Sequence, residues 1–212
     1  MIIGFWQNTS GHGCSSVSCV SLASEFVLKY KLNCCIFQTH FSNNNLSHYL
    51  LEDGSENNAL NDNGIDGLFR LFKTGSFSPD SVSALTNTFY GNPARLDLIN
   101  GTFKTNPVIF IENFLEHFDK MFSTLQAMYD IVFVDIQAGN SELSKKVLSI
   151  CDYVVCGITQ EKHMLDHLFK ENEFDYTKTM FLVGDYEPAL NLNYRNLLKL
   201  YKQFNESNLL YL

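Results

Sequence analysis

Five stretches of this chain are largely apolar at consecutive positions rather than at every second one: MIIGFW (1–6), LNCCIFQ (32–38), YDIVFVDI (129–136), CDYVVCGI (151–158) and TKTMFLVG (177–184). A strand with one wet face alternates polar and apolar residues. Runs like these fit strands buried on both faces, the condition of a parallel sheet with helices on each side. The segments between them supply the helices. In SSVSCVSLASEFVLKY (15–30), Val17, Val20, Phe26 and Val27 recur at three-to-four spacing, with Ser15 or a neighbour as cap. NSELSKKVLSI (140–150) opens on an Asn/Ser cap, and ITQEKHMLDHLFKEN (158–172) and NYRNLLKLYKQFN (193–205) read as helices too. A short strand at ARLDLI (94–99), a long helix around residues 110–128 and short helices at 64–75 and 78–91 complete the set. The last carries Ser78 at its cap and Pro79 in its first turn. Strands alternating with helices imply right-handed crossovers, and so an α/β fold: a doubly wound, mostly parallel sheet with helices on both faces. Residues 53–64, DGSENNALNDNG, have almost nothing to bury and read as a loop. With no internal repeat and no dividing linker, residues 1–212 are expected to form a single domain.

Composition narrows the function. A chain of 212 residues that is 45% hydrophobic and 14% aromatic can pack one substantial core. A formal charge of −8 repels phosphate backbones, so nucleic-acid binding would need a local basic patch. The nearest candidate, Arg195, Lys199 and Lys202 on one expected helix face, is more simply a solvated face, and nucleic acid is not an expected partner. The six cysteines match no CxxC pair and no zinc pattern, and four lie in apolar runs, which fits a reduced, cytoplasmic compartment. MIIGFW lacks the charged start of a signal peptide, and no apolar segment approaches the ~20 residues that span a bilayer.

Between the first strand and the first helix lies the most specific stretch, TSGHGCSS (9–16). A phosphate-binding loop works because backbone N–H groups converge on an anion at a helix N-terminus, and glycines permit the close approach. Gly11 and Gly13 supply the glycines, and Ser15 and Ser16 stand at the helix start. Such a loop ordinarily adds a lysine near the β- and γ-phosphates and a Ser/Thr hydroxyl on Mg²⁺. Here Cys14 stands where that lysine belongs.

The stretch GFWQNTSGHGCSSVSCVSLASEF (4–26), taken with YDIVFVDIQAGNSEL (129–143), resembles the ParA/MinD group of P-loop ATPases with a deviant Walker A motif. That loop reads K-G-G-x-G-K-[ST], and a second acidic motif ends a strand as D-x-x-[AP]-G, matched by Asp135–Gly139, DIQAG. NLSHYLLEDG (45–54) resembles the segment after the family's second strand. The resemblance implies a nucleotide site at Thr9, Ser10, Gly11, His12, Gly13, Cys14, Ser15, Ser16, Asp135 and Gly139, with Mg²⁺ on Ser15 and Asp135 if nucleotide binds. It also implies ATP-driven switching, a nucleotide-sandwich homodimer, and the positioning of DNA, division machinery, flagella or pili.

The departures set the expectation. The family's signature lysine aligns with Thr9 and its P-loop lysine with Cys14. The water-orienting acid after the second strand aligns with His40, and the adenine-contacting Asn falls near Gly184. Phosphoryl transfer depends on positioning and on neutralising charge, so losing two lysines and a carboxylate together argues against fast hydrolysis. No catalytic residue is assigned. The expected function is a degenerate, dimerising scaffold that positions a protein assembly, with weak or absent ATP hydrolysis. RLDLINGTFK (95–104) is similar to the TadZ-like branch that localises pili or secretion systems. The alternative is a working ATPase in partitioning or positioning, with a substitute cation such as Lys104 or one from a partner subunit. ATP and Mg²⁺ are the possible cofactors.

Three further features carry weaker signals. Cys14 and His12 suggest a reactive thiol, but no third group orients them, and a small residue filling the lysine's space is simpler. His163 and His167 sit at i, i+4, a spacing that can bind a metal, without a third ligand in view. SNLLYL (207–212) reads as one more strand; in the family a Pro-containing loop and further helices follow it, among them the membrane helix of MinD-like relatives. The chain is therefore expected to be a truncated or shortened member.

Overall fold

The computed structural model describes residues 1–40, 46, 50, 64–91, 93–102 and 106–212. Strand β1 (Ile2–Gln7) leads into helix α1 (Ser15–Tyr30) and strand β2 (Cys34–Gln38). Helices α2 (Ile65–Lys73) and α3 (Pro79–Ser83) precede strands β3 (Asn87–Gly91) and β4 (Arg95–Ile99). Helix α4 (Pro107–Met128), β5 (Ile131–Asp135), α5 (Glu142–Ile150), β6 (Tyr153–Ile158), α6 (Lys162–Glu171), β7 (Thr179–Val183), α7 (Tyr194–Leu200) and β8 (Leu209–Tyr211) follow. The strands form one sheet in the order β3-β4-β2-β5-β1-β6-β7-β8, parallel throughout except for β3, which runs antiparallel to β4.

The consecutive apolar residues are explained by two cores, one on each face. Ile2, Trp6, Cys35, Phe37, Val132 and Val134 face the side covered by α4, whose Phe110, Phe114, Phe118, Phe122 and Leu125 are buried against them. Their neighbours Ile3, Phe5, Cys34, Ile36, Ile131 and Phe133 face the opposite side, covered by Cys19, Val20, Ala23 and Val27 of α1. Period-two alternation thus splits each strand between two cores. β1 lies at the centre of the sheet between β5 and β6, so the loop that leaves it emerges at the carboxyl ends of three strands. That is where open α/β sheets place their ligands.

Four sequence expectations need correction. The helix expected over 78–91 stops at Ser83; its cap is as read, Ser78 accepting from Ser81 N with Pro79 in the first turn, but Asn87–Gly91 is the antiparallel edge strand β3. Threonine and aromatic residues favour a strand once the short capped turn has ended. Helix α1 has no side-chain cap: its N-cap is Cys14, in the left-handed conformation at φ 51°, and Ser15 is already helical. Val17, expected on the buried face, is 44% exposed. Finally α7 ends at Leu200, so Lys202 lies beyond the helix that carries Arg195 and Lys199, and the three do not share a helical face. The strand read at SNLLYL is present as β8, paired in parallel with β7.

Candidate functional site

The loop from Asn8 to Cys14 is seated by close backbone approach. A Cβ on Gly157 of β6 would lie 2.3 Å from Gly13 O, and one on Gly13 would lie 2.8 Å from Gly157 C. Glycine is required at both, because backbone occupies the space a side chain would take. A Cβ on Gly184, just past β7, would lie 2.8 Å from Cys14 Sγ. The thiol at the lysine position is therefore turned against Gly184, which the adenine-contacting Asn of the resembled family would align near. Thr9, Ser10, Gly11, His12 and Cys14 are exposed, and Gly13 and Ser15 are buried. The first amides of α1 lack intrahelical partners by position and no side chain caps them, so the anion cradle of a helix N-terminus is intact. No acidic residue lies in the first turn of α1.

Asp135 ends β5 beside the loop and is fully buried. The hydroxyl that meets it belongs to Ser16, which donates at 3.0 Å to each carboxylate oxygen. Because the left-handed Cys14 starts the helix at Ser15, the next residue is rotated by about 100° and turns towards β5. Opposite Ser16, His40 Nε2 stands 3.2 Å from Asp135 Oδ2, at ion-pair distance. The register that pairs Gln38 with Asp135 across β2 and β5 puts residue 40 there. Thr39 fixes the approach: its N–H donates to Asp135 O at 3.0 Å, and its Oγ1 accepts from Gln137 N at 2.9 Å.

Gly139, the last residue of the acidic motif, has φ +88°, the left-handed region that only glycine enters freely. Its N–H donates to Gln7 O at 3.1 Å, and its carbonyl accepts from Trp6 Nε1 at 3.0 Å. The phosphate loop and the acidic motif are thus tied together through the end of β1. Beside the loop a cavity of about 300 Å³ opens, lined among others by His12, Cys14, Gln160, Glu161, Asp185 and Leu190. Among the described residues its lining holds two carboxylates and neither lysine nor arginine. Gln160 closes its far wall, donating through Nε2 to Glu187 O and Leu192 O and accepting from Glu187 N.

The structure brings Thr9 to Ser16, Asp135 and Gly139 into one region. His163 and His167 lie one turn apart on α6, each beside a carboxylate. His163 contacts Glu161 at 3.5 Å, whereas His167 contacts Asn8 at 3.1 Å and Glu171 at 3.0 Å. Among the described residues no group of three or more His, Cys, Asp and Glu side chains could hold a metal ion. Sequence reasoning missed the roles of Gln160, Trp6 and Asn8. Lys104, the proposed substitute cation, lies outside the described residues, as do His48 and most of 45–54 and 53–64.

A glycine-bearing loop between the central strand and its helix, with a buried aspartate on the adjacent strand, defines a P-loop NTPase fold. The fold matches that of ParA/MinD-type proteins. Solved structures agree. A ParA family ATPase from Chlorobium tepidum matches with a TM-score of 0.68 at 15% identity, over 86% of this chain and 73% of that one. A plasmid partition protein from Borrelia burgdorferi matches with a TM-score of 0.68 at 18% identity, over 100% and 88%. The septum site-determining protein MinD from Pyrococcus horikoshii, solved with Mg-ADP, matches with a TM-score of 0.59 at 13% identity, over 91% and 72%. No family model and no curated protein matches the sequence. Among the described residues, no helix is long and apolar enough to cross a membrane.

Proposed function

We propose that this chain is a degenerate ParA/MinD-type protein: a dimerising scaffold that positions a protein assembly and hydrolyses ATP weakly or not at all. The observation that carries the reading is the charge at the loop. Thr9 and Cys14 replace two lysines, Cys14 is packed against Gly184, and the adjoining cavity presents Glu161 and Asp185 instead of a cation. Each transition-state donor of this kind is worth about 10²–10³ in rate, so losing two compounds to a large deficit. The intact amide cradle supports binding of an anion without supporting its hydrolysis. Ser16 and Asp135 are the residues that would hold Mg²⁺, the metal this fold implies, and the ring of His40, 3.2 Å from Asp135 Oδ2, crowds that oxygen.

Partition and septum-site proteins among the structural neighbours support a positioning role, and the likeness of residues 95–104 supports a TadZ-like assembly. A homodimer in the cytoplasm, with protein rather than nucleic acid as partner, follows from the same reading. The test is the oligomeric state by light scattering with and without Mg-ATP. A dimer of unchanged affinity in both conditions is expected. A monomer that dimerises only with ATP would overturn the scaffold reading in favour of a nucleotide switch.

A further inference from the structure

We propose that His40 occupies the place of a divalent cation, acting as the built-in partner of Asp135 and closing that carboxylate to metal. The inference deepens the scaffold reading and rests on it for the idea that the loop works without metal-bound nucleotide. Its own evidence is geometric. A fully buried carboxylate is costly unless a proton donor or a cation faces it. In this chain Ser16 Oγ donates to both oxygens at 3.0 Å, and His40 Nε2 faces Oδ2 at 3.2 Å. Ser16 supplies the hydroxyl that donates to the carboxylate, and the imidazole edge of His40 stands in the space beside Oδ2.

The imidazole is held there from both sides of its backbone. Thr39 is bonded to the carbonyl of Asp135 through its N–H at 3.0 Å and its hydroxyl at 3.3 Å. On the other side, Thr102 N donates to His40 O at 3.1 Å, and a Cβ on Gly101 would lie 2.2 Å from that oxygen. The glycine lets the 100–102 segment press directly against residue 40. Gly101 N is also bonded to the buried Gln38 Oε1 at 3.3 Å. With the backbone fixed on two sides and its side chain 13% exposed, the ring has little room to swing clear of Asp135.

A magnesium ion does not fit this arrangement. It takes oxygen ligands at about 2.0–2.1 Å in near-octahedral geometry and keeps several waters. An ion that close to Oδ2, with its waters, needs the volume the ring fills, and imidazole nitrogen suits softer metals than magnesium. A softer ion bridging His40 and Asp135 would lack a third His, Cys, Asp or Glu ligand among the described residues.

The test uses Mn²⁺ as an oxygen-seeking, spin-active probe, read as loss of the free-ion signal in electron paramagnetic resonance. Wild-type protein is compared with His40→Asp, which supplies a second carboxylate, with His40→Ala, which vacates the space, and with His40→Asp/Asp135→Ala. The wild type should bind no Mn²⁺ at the site up to millimolar concentrations. His40→Asp should bind at least tenfold more tightly, and the double variant should lose that binding. If His40→Asp does not fold, as judged by circular dichroism, His40→Ala carries the test and should also exceed the wild type. Wild-type Mn²⁺ binding that is removed by Asp135→Ala would overturn the proposal. So would a folded His40 variant that binds no better than wild type. The readout contains no nucleotide. Metal binding by the wild type with no ATP-dependent dimerisation would sink this inference alone, and the converse would sink the scaffold reading alone.

Discussion

Gly157→Ala should unseat the phosphate loop, and the size of the effect can be worked from the backbone. The new Cβ would sit 2.3 Å from Gly13 O, 2.9 Å from Gly13 C and 3.0 Å from Gly13 Cα. All three are backbone atoms, so no side chain can rotate away, and the loop itself must retreat by about 1 Å to reach ordinary contact. Overpacking of this kind costs about 1–3 kcal/mol. Because the obstacle is backbone we take the upper end, and set against it the ~0.5–1 kcal/mol that alanine regains over glycine inside a strand. The net loss is about 2 kcal/mol. For a chain of this size 1 kcal/mol shifts Tm by roughly 2–4 °C, so the melting temperature should fall by about 4–8 °C. The assay is thermal unfolding followed by circular dichroism. Gly91→Ala is the control: its Cβ would meet only Thr88 Cγ2 at 3.9 Å, and it should stay within about 0.5 kcal/mol of wild type. If Gly157→Ala melts like Gly91→Ala, the loop is not seated on β6, and the account of the cradle fails.

Other consequences are equally concrete. Five of the six cysteines are buried and only Cys14 is exposed; burial pushes the thiols of Cys34 and Cys151 up to about 12, and those of Cys19, Cys35 and Cys156 are also raised by burial. A raised thiol stays protonated and unreactive below its pKa, so native labelling with a maleimide should stop at one thiol at any pH well below about 12 and reach all six in denaturant. Two or more thiols labelled in the native state would contradict the burial. Asp97 is fully buried and accepts from Thr88 Oγ1 at 2.7 Å, Tyr129 OH at 2.6 Å and Arg95 Nε at 2.9 Å. Asp97→Ala leaves three donors without their acceptor and should cost about 3 kcal/mol, read as a lower urea midpoint; an unchanged midpoint would show that the cluster adds nothing.

Much of this fold is legible in the order of residues, for a specific reason. Runs such as Cys34-Cys35-Ile36-Phe37 carry no alternation because each face of the sheet has its own core, so apolar persistence itself reports parallel strands covered twice. The edge is where this reading weakens. Ser78 and Pro79 announce a helix start correctly but say nothing of its length, and the strand at Asn87–Gly91 forms only because β4 lies beside it. At the site, Gly11, Gly13 and the helix start are legible from their strand–loop–helix context, since backbone approach demands glycine there, whereas DIQAG is legible only through the resemblance to the ParA/MinD group. That Ser16 is the hydroxyl bonded to Asp135 depends on rotation about the helix axis, set by the left-handed conformation of Cys14, which sequence does not announce. The contact between His40 and Asp135 needed the strand order: once β2 is known to pair with β5 with Gln38 opposite Asp135, residue 40 falls beside the carboxylate. The bond from Trp6 to Gly139 had no signal in the sequence.

The central claim is that the loop keeps the shape of a phosphate site without the charges that drive hydrolysis. Phosphate release from Mg-ATP, measured for the wild type beside Asp135→Ala, tests it most directly. The account predicts that release by the wild type over hours is at most marginally above that of Asp135→Ala. Steady release by the wild type that Asp135→Ala abolishes would contradict it, and would mean that a cation from another part of the chain or from a partner subunit completes a working ATPase.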